Sequence, residues 1–581
     1  MGYLRGGLLS LIFLWVWPTL ALAQEAPAYR EFPLVGSRVA VWVVAELHLM
    51  FAAFILAVPI FAVIVEYVGM RTKDPRMDRL AREFTKLLVA AFSTTAIFGA
   101  ILLFLIVGLY PRFFSYLSSV FFPTMWLYAL LFFGETFSLY LYWYSWDRLQ
   151  NRKGLHLTLG ILVNFFGTVL MFIANAWGSF MMSPAGVDEA GNLKSLWSAI
   201  TNLTWMPINI HRLIANVAFG GAIVAAYAAY KFLSVTTDEE RAHYDWMGYI
   251  GNFIAISALI FLPFAGYWLG REVYAFNEQM GVELMGGFLS WLWIIQAVLI
   301  GILFLGANYY LWVGMERIRG AERYRGFIKY MLFILTVGFM VWATPHSLVA
   351  SLEEARRIGA TYHPLLGVLG VMSAKNTVVN LMILTTFISF LFYRRANKIS
   401  VVSWQRAGKA IQAALLIIAG GIVLFLGIYG YYVEAIVRIF FSVYMVLTVI
   451  STMVLVTIID LLIYKGARTI GPIEWGKIAP RSQYVLVLLA LTFTWLMGLM
   501  GYARSIARQH WHVYGIMRDT SPDAFSPTLG FAANVVSASV ILFFAFLIFI
   551  FWLGGLGEKV PAPVPTPVGA TANPKGSEGK G

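Results

Sequence analysis

The 581-residue sequence contains no cysteine. Disulfides, thiolate metal sites, iron–sulfur clusters, cysteine nucleophiles and covalent haem attachment through a C-x-x-C-H motif are therefore excluded. Charged residues are also few, at 12%, against 60% hydrophobic residues that include 20 Trp and 45 Phe. This composition excludes a soluble protein and predicts an all-α, polytopic transmembrane helical bundle. Any cofactor must be held by His, Met, carboxylates or packing.

Apolar stretches of roughly 20 residues or more recur along the chain, and each is long enough to cross a bilayer as a helix. The basic residues behind the net charge of +13 lie mostly in the loops between these stretches. Because no water-soluble domain presents a basic face, the lipid bilayer is the expected partner and nucleic acid is not. The thirteen predicted spans are residues 39–70, 85–110, 116–145, 155–183, 209–234, 247–270, 284–313, 327–345, 376–393, 405–428, 434–464, 483–502 and 529–553.

Residues 1–23 have the pattern of a cleavable signal peptide, with Arg5, an apolar run and a small-x-small end at Ala23. The alternative is an uncleaved first span. With the mature N-terminus outside, the loops rich in Lys and Arg fall on the cytoplasmic side, as the positive-inside rule requires. We therefore expect a multi-pass protein of the bacterial inner (cytoplasmic) membrane. Residues 555–581, rich in Pro and Gly, are expected to form a disordered cytoplasmic tail.

Histidine is concentrated on one side of this topology. His48 lies inside the first predicted span and His211 at the mouth of the fifth, both in the predicted outer half. A histidine within the membrane is expensive unless paired, and neutral imidazole is a common axial ligand of haem iron. The two are therefore candidate haem ligands. The alternative interpretation is a pair of hydrogen-bonded core histidines.

Two acids also lie in apolar surroundings. Glu135 is well inside the third span, where an ionised carboxylate costs roughly 2.5 to 3.5 kcal/mol on insertion scales, so it is expected to be protonated, paired or on a proton path. Glu66 follows His48 by eighteen residues, which places both on one helix face, roughly 27 Å apart. The alternative for Glu66 is an acid solvated at the cytoplasmic end of the helix.

The loop after the twelfth span concentrates guanidinium, amide and aromatic groups at the membrane surface. It contains Arg508, Gln509, His510, Trp511 and His512. Arginine forms bidentate pairs with carboxylates and tryptophan packs at the interface, so this loop suits haem propionates. An ordinary interfacial loop would have similar residues.

These features, taken in order, resemble subunit I of cytochrome bd-type quinol oxidases. No single motif decides the resemblance, which covers spans 1 to 6 and 11 to 13. It is carried by the following features: His48, Glu66, Glu135, the run Trp146-Asp147-Arg148-Leu149, Asn175-Ala-Trp-Gly, Ser183-Pro-Ala-Gly186, His211, Arg438 and Arg508-Gln-His-Trp511.

The resemblance implies that His48 is an axial ligand in the high-spin haem pair where oxygen is reduced, and that His211 ligates a low-spin haem b fed by quinol. At least two haems b are expected. Glu66 and Glu135 match acids linked to proton delivery or haem charge compensation. The haem-edge positions match Arg438, Arg508, Gln509 and Trp511. Further membrane or periplasmic cytochrome subunits are expected partners.

Three departures qualify the resemblance. A second acid of the third span is Leu127 here, and the haem-ligating Glu of the family falls on Ser505, which puts haem d and oxygen chemistry in question. The family's Met ligand to the low-spin haem is Phe440, which leaves Met445 as the nearest thioether. To replace the missing carboxylate we expect a histidine of the outer loop, His510 in preference to His512, on the premise that both face the haem pocket.

Four extra spans replace the family's long quinol-binding loop, so that the quinol site cannot be carried over. About thirteen loop residues, 271–283, remain at that place. The predicted regions are 24–270 for bd-like spans 1–6, 271–428 for the inserted membrane helices and 429–554 for bd-like spans 11–13. The inserted outer segment 346–375 is interpreted as a surface helix, with a metal site as the alternative.

The leading hypothesis is a bd-like respiratory haem oxidoreductase that passes electrons from quinol through haem b to oxygen near the outer face. The alternative keeps the haems and loses oxygen reduction, leaving a membrane cytochrome b that exchanges electrons between quinone and a periplasmic redox partner. A third class, a secondary transporter, would show broken helices and internal repeats, and neither is clear in the sequence.

Overall fold

A computed structural model describes residues 27–555. The predicted signal peptide and all but the first residue of the predicted tail lie outside these residues. Within them, 13 helices are long and apolar enough to cross a membrane, which confirms the predicted all-α bundle and its number of spans. Spans 1 to 13 are, in order, Ser37–Thr72, Pro75–Leu109, Pro111–Tyr144, Lys153–Met182, Trp205–Ser234, Asp238–Phe276, Ser290–Gly314, Glu322–Trp342, Met372–Arg395, Gln405–Tyr429, Ala435–Ile463, Arg481–Ala507 and Leu529–Gly555.

The remaining elements are short. Four helices lie between spans, at Leu196–Ile200, Glu278–Met285, Leu352–Ile358 and Leu366–Leu369, with 3-10 turns at Gln150–Arg152 and Met315–Arg317. Two antiparallel strand pairs join Lys398–Ile399 to Arg468–Thr469, and Trp511–Val513 to Met517–Arg518.

Span 2 begins ten residues before its predicted start at 85. Asp74 caps the helix by accepting a hydrogen bond from the backbone N–H of Arg76 at 3.0 Å, and Pro75 occupies the first turn, where a proline costs no hydrogen bond. The charged residues that follow continue the helix beyond its apolar part. A hydropathy pattern detects only the apolar part of a helix, and the predicted start of span 2 is therefore too late.

The segment after span 6 is helical rather than a loop. Residues 271–283 were predicted as loop, but span 6 continues to Phe276 and a second helix, Glu278–Met285, follows at once. Asn277 separates the two and caps the second by accepting from the N–H of Met280 at 2.8 Å. The cap residue is the local signal that the sequence offered for this helix start.

Span 1 lies at the centre of the bundle. It packs against spans 2, 4, 5, 12 and 13, and the aromatic rings around it are fully buried. Phe51 contacts Phe98 of span 2 and Phe543 of span 13, with ring centroids 5.9 and 4.8 Å apart. A helix that packs against five others is a suitable place for polar groups that must be shielded from lipid.

The inserted helices form a second group beside this centre. Span 7 packs against span 12 and span 8, while span 9 packs against spans 8 and 10. Span 11, which the sequence resemblance groups with spans 12 and 13, packs mainly against spans 9 and 10. We call the end of the bundle that carries the loop 508–511 the motif face, and the other end the opposite face.

Candidate functional site

His48 is held in one orientation by span 2. Its Nδ1 lies 3.1 Å from the carbonyl oxygen of Thr95, which can only accept, so Nδ1 carries the hydrogen and Nε2 presents a lone pair. A side-chain carbon at Gly99 would lie 2.9 Å from Cε1 of the ring, so the absence of a side chain at Gly99 makes room for the imidazole. This arrangement, with one nitrogen tied to a carbonyl and the other free, is typical of a metal-ligating histidine.

Glu46 lies two residues before His48 and is buried, with 4% of its surface exposed. Its carboxylate has no hydrogen-bond partner among residues 27–555, although Arg504 and Arg212 are near enough to interact electrostatically. A side-chain carbon at Gly501 would overlap the carboxylate, so span 12 leaves a space that Glu46 fills. Sequence reasoning missed this residue, and its one signal was an acid within an apolar span.

His211 faces span 6. A side-chain carbon at Gly266 of that span would lie 3.7 Å from both Nε2 and Cδ2 of the imidazole, with no atom of another residue within 4 Å. In the described part of the chain, no hydrogen-bond partner is found for the ring. His211 is half-buried, and a ring nitrogen without a protein partner is free to bind a ligand that the chain itself does not supply.

Two arginines accompany His211 and Glu46. Arg212 donates to Oδ1 of Asn175, which in turn donates to Oδ1 of Asn209 at 2.7 Å. Arg504 lies against Gly178, where a side-chain carbon would be 2.9 Å from Nη1. Both guanidinium groups are densely surrounded by protein yet retain accessible surface. Space therefore remains beside the cations.

Arg508 follows span 12 on the motif face and is buried, with 9% exposed. Its Nη1 donates to the carbonyl oxygen of His512 at 2.6 Å, and its Nε has no partner in the described residues. Burial, together with the Arg504 and Arg38 charges and against the effect of Asp519, lowers the pKa of Arg508 to about 9. A guanidinium in this position favours an anionic ligand.

The neighbouring motif residues link the loop to other elements. Gln509 has a left-handed backbone, φ 52°, and its Nε2 donates to Oε2 of Glu283 at 2.7 Å. Trp511 begins the strand that pairs with Met517–Arg518, and the Arg518 guanidinium lies 5.2 Å from the centre of its ring. The loop is therefore fixed to the helix after span 6.

At Ser505 the structure has a hydroxyl where the family has a carboxylate. Arg38 of span 1 donates to its Oγ at 3.0 Å and to Oδ2 of Asp519 at 2.8 Å. His512 approaches the other oxygen of Asp519 at 3.4 Å and stacks on Phe113 with ring centroids 4.7 Å apart. Burial lowers the pKa of His512 to about 4, with Asp519 opposing, so the ring is neutral near pH 7.

The expectation that His510 and His512 point the same way is wrong. His510 is exposed and contacts Phe525 at 5.5 Å, whereas His512 packs against Phe113. The left-handed turn at Gln509 reverses the chain, and the extended segment begins only at Trp511. The alternation rule of a strand therefore does not apply to this pair.

Glu66 is the centre of a buried cluster near the opposite face. It is 1% exposed, accepts from the hydroxyl of Tyr142 at 2.6 Å, and lies 2.6 Å from Nδ1 of His156 and 3.6 Å from Nζ of Lys153. Nε2 of His156 faces the Tyr142 carbonyl oxygen at 2.8 Å and so must donate to it. Glu66 and Nδ1 then share a further proton. The alternative of a solvated Glu66 is excluded by its burial.

Glu135 is also buried, with 4% exposed, and faces span 4. A side-chain carbon at Gly167 would lie 2.7 Å from its Oε1. The described residues provide it with no hydrogen-bond or ion-pair partner. Leu127, at the position of the family's second acid, is 40% exposed on the outside of the bundle, where an acid would face lipid.

One face of span 4 connects these groups. His156 contacts Glu66, Gly167 lies against Glu135, and Gly178 lies against Arg504. These positions recur at intervals of eleven residues, about three helical turns, so they share a face and are roughly 16 Å apart along the axis. Span 4 therefore runs past the acids from the opposite face to the arginines near the motif face.

Arg438 and Met445 lie apart from the other predicted haem residues. Nε of Arg438 donates to the carbonyl of Gly430 at 2.7 Å, and Nη2 donates to Oε2 of Glu354 at 3.0 Å. Met445 is 1% exposed on span 11, which packs mainly against spans 9 and 10. The structure does not bring Arg438 to Arg508, and it occupies Arg438 with a carboxylate of the inserted region.

The residues present fit haem at the motif-face half of the bundle. His48 and His211 each have a nitrogen free to ligate iron, and glycines 99 and 266 leave room beside both rings. In residues 27–555 no carboxylate lies within ion-pair distance of Arg212, Arg504 or Arg508, so their charges suit propionates. Among the same residues no group of three or more His, Asp or Glu side chains could hold a metal ion alone.

Parts of this chain are similar to known proteins. Residues 37–280, which contain spans 1 to 6, match the family model of cytochrome bd terminal oxidase subunit I. A putative cytochrome bd menaquinol oxidase subunit I of Bacillus subtilis (strain 168) is 27% identical over 203 residues, 34% of this chain and 44% of that protein. The match thus spans less than half the length of this relative.

A bd oxidase structure from Geobacillus thermodenitrificans aligns with a TM-score of 0.41 and 16% identity, over 73% of this chain and 97% of that one. The family match and the curated relative confirm the resemblance to cytochrome bd subunit I that the motifs indicated.

Proposed function

We propose that this chain is the haem-binding subunit of a bd-like respiratory oxidoreductase, which passes electrons from quinol through haem b to oxygen. The observation that carries the proposal is the set of unpaired groups near the motif face. Two imidazoles with a free nitrogen lie among three guanidinium groups without a carboxylate at ion-pair distance in residues 27–555. Such a set is costly unless a ligand supplies both a metal and anionic groups.

His211 would hold the low-spin haem b, and His48 would hold the high-spin site. Bound haem would supply the one-electron redox chemistry. Arg212 and Arg504 would neutralise propionates beside Glu46, and Arg508 would do so at the surface.

We further propose that Glu46 takes the place of the carboxylate that the family has at Ser505. Ser505 has its hydroxyl engaged by Arg38, and a hydroxyl is a poor iron ligand. Glu46 presents a buried carboxylate without a hydrogen-bond partner in the described residues, packed against Gly501 of span 12. This is a better candidate than His510, which is exposed, or His512, which is engaged with Asp519.

Protons would enter at the opposite face. Glu66 and His156 hold a shared proton behind Lys153, which itself pairs with Asp78 at 2.5 Å near the surface. Glu135 is the next acid along the face of span 4, roughly 16 Å further along the axis from the level of His156 to that of Gly167. Water between these acids would complete a relay toward the His48 region.

The proposed orientation has the motif face outside, in the bacterial inner membrane, with the Lys- and Arg-rich loops inside. The relative's name specifies menaquinol for that protein. For this chain we propose quinol as the donor class, oxygen as the acceptor, and further membrane or periplasmic cytochrome subunits as partners.

Ser505 favours a second candidate, a membrane cytochrome b that exchanges electrons between quinone and a periplasmic redox partner without reducing oxygen. The two candidates differ in a purified preparation. The oxidase consumes oxygen with quinol in a cyanide-sensitive reaction, with or without a haem d band in its spectrum. Haem b spectra without oxygen consumption would select the second candidate.

A further inference from the structure

Three aromatic side chains meet where spans 7, 8 and 9 reach the motif face. Trp293 lies near the start of span 7, Trp342 ends span 8, and His346 follows in the next turn. The ring centroids of Trp293 and Trp342 are 5.5 Å apart at 30°, and those of Trp293 and His346 are 6.2 Å apart. We call these three residues the Trp–His cluster. None of them belongs to the haem region described above.

Each ring of the Trp–His cluster has a buried nitrogen without a partner. Nε1 of Trp293, Nε1 of Trp342 and Nδ1 of His346 make no hydrogen bond within residues 27–555. His346 is 9% exposed as a whole. An unsatisfied buried polar group destabilises the folded state, and three in one cluster therefore point to a ligand from outside the chain.

The cluster presents two donors and one acceptor. The ring of His346 makes a backbone hydrogen bond at Gly370, which leaves Nδ1 free. Burial, together with the nearby Lys375 ammonium, lowers the pKa of His346 to about 4, so the ring is neutral and Nδ1 is a lone-pair acceptor near pH 7. The two indole nitrogens can only donate.

The Lys375 ammonium beside the cluster already has hydrogen-bond acceptors, so it does not call for an anionic ligand. Lys375 is fully buried, and its Nζ donates to the carbonyl oxygen of Trp342 at 2.8 Å and to that of Thr344. A ligand for the cluster therefore needs a flat apolar ring, oxygen atoms that accept from indole N–H, and a hydroxyl that donates to imidazole. A quinone and its quinol have these features, and both partition into the membrane.

We propose that the Trp–His cluster binds the head ring of a quinone or quinol. In the quinol form a hydroxyl donates to Nδ1 of His346, and in the quinone form the carbonyl oxygens accept from Trp293 and Trp342. This inference rests on the proposed function and gives its donor a place in the inserted helices, where the family's loop is missing.

The cluster is joined to the haem-bearing half by short contacts. A side-chain carbon at Gly286 would lie 3.4 Å from Cδ2 of His346, and Glu283, three residues earlier, accepts from Gln509 of the motif loop at 2.7 Å. On span 7, the ring of Trp291 lies 6.2 Å from that of Tyr502 on span 12. A ligand in the cluster would thus lie on the same face as Arg508.

The test is quinone affinity in the full-length protein, reconstituted in nanodiscs of quinone-free lipid and titrated with decylubiquinone and a short-tailed menaquinone. Trp342→Phe and His346→Phe keep a ring and remove the free nitrogen. The matched controls are Trp126→Phe, at a 49% exposed position of span 3, and His363→Phe, at an exposed position of the same outer segment. Trp293→Phe replaces Trp342→Phe if the latter does not fold.

We expect each cluster variant to raise the Kd for quinone about tenfold, the loss of roughly one hydrogen bond, with both controls unchanged. Unchanged Kd values in the cluster variants, or no quinone binding by the wild-type protein, overturn the inference. A loss of phosphatidylglycerol binding in place of quinone binding overturns it too and assigns the cluster to a lipid. Haem spectra of the same samples test the proposed function separately, because quinone binding is measured without turnover.

Discussion

The carboxylate of Glu46, on span 1, occupies the space that a side chain at Gly501, on span 12, would fill. A bulkier residue at 501 would exclude the carboxylate from the region between Arg212 and Arg504. Span 12 thus has no side chain at the point where span 1 places a buried carboxyl group. Together the two residues place a buried acid on span 1 in a chain that has Ser505 where the resemblance implies the ligand acid.

The first prediction concerns this acid. Glu46→Gln should lower the high-spin haem signal and the haem-to-protein ratio while the low-spin haem at His211 is retained, because only the carboxylate charge is removed. Adding Ser505→Glu should restore the signal, since that position has the family's ligand. Electron paramagnetic resonance of the oxidised protein measures both spin states. Equal high-spin signals in wild type and Glu46→Gln would contradict the role.

The second prediction concerns the room beside His48. Gly99→Ala brings a carbon to within 2.9 Å of Cε1 of the ring, so it should displace the imidazole and cost about 1–3 kcal/mol of overpacking. Gly108→Ala on the same span is the control, because nothing lies within 4 Å of its added carbon. The midpoint of thermal haem release should fall in Gly99→Ala alone. Equal midpoints in the two variants would refute the packing argument.

The third prediction concerns Arg438 and Arg508, both of which the sequence resemblance assigns to the haem edge. Arg508→Gln should shift the haem spectrum or weaken haem retention, because its buried guanidinium has an unpaired Nε. Arg438→Gln should leave the spectrum unchanged and loosen the helix Leu352–Ile358, because it removes the partner of Glu354. Absorption spectra and limited proteolysis of that helix distinguish the effects. A spectral change in Arg438→Gln would restore it as a haem-edge residue.

The fourth prediction concerns Glu135. Glu135→Gln should slow quinol-driven oxygen consumption at least several-fold while haem content stays normal, because the buried acid would otherwise take up and release protons on the relay. Glu189→Gln, in the exposed loop after span 4, is the control. Turnover that matches wild type between pH 6 and 8 would exclude Glu135 from the proton path.

Much of the fold was predictable from sequence because it depends on local hydropathy. All thirteen spans were predicted, and the largest errors are at helix starts that a capping residue sets: Asp74 before span 2, Thr237 before span 6 and Asn277 before the helix that follows it. Helices that extend past the membrane, or lie on its surface, have too few apolar residues for a hydropathy window to detect.

The candidate site was predictable only in part. His48 and His211 stand out as histidines in apolar spans, but the partners of buried groups depend on which helices pack together. No sequence motif pairs His156 with Glu66, yet Nδ1 of His156 lies 2.6 Å from Oε1 of Glu66. The spacing of residues along the sequence does not show that spans 1 and 4 pack together, so it cannot predict this distance. The same holds for Glu46, whose surroundings come from spans 5 and 12.

The most direct test of the central claim is the reduced-minus-oxidised absorption spectrum of the purified protein, with the haem-to-protein ratio, for wild type, His211→Ala and His48→Ala. The account predicts at least two haems per wild-type chain, loss of the low-spin haem b signal in His211→Ala, and loss of the high-spin signal in His48→Ala. Wild-type protein without haem, or spectra unchanged in both variants, would contradict it and return a secondary transporter to consideration.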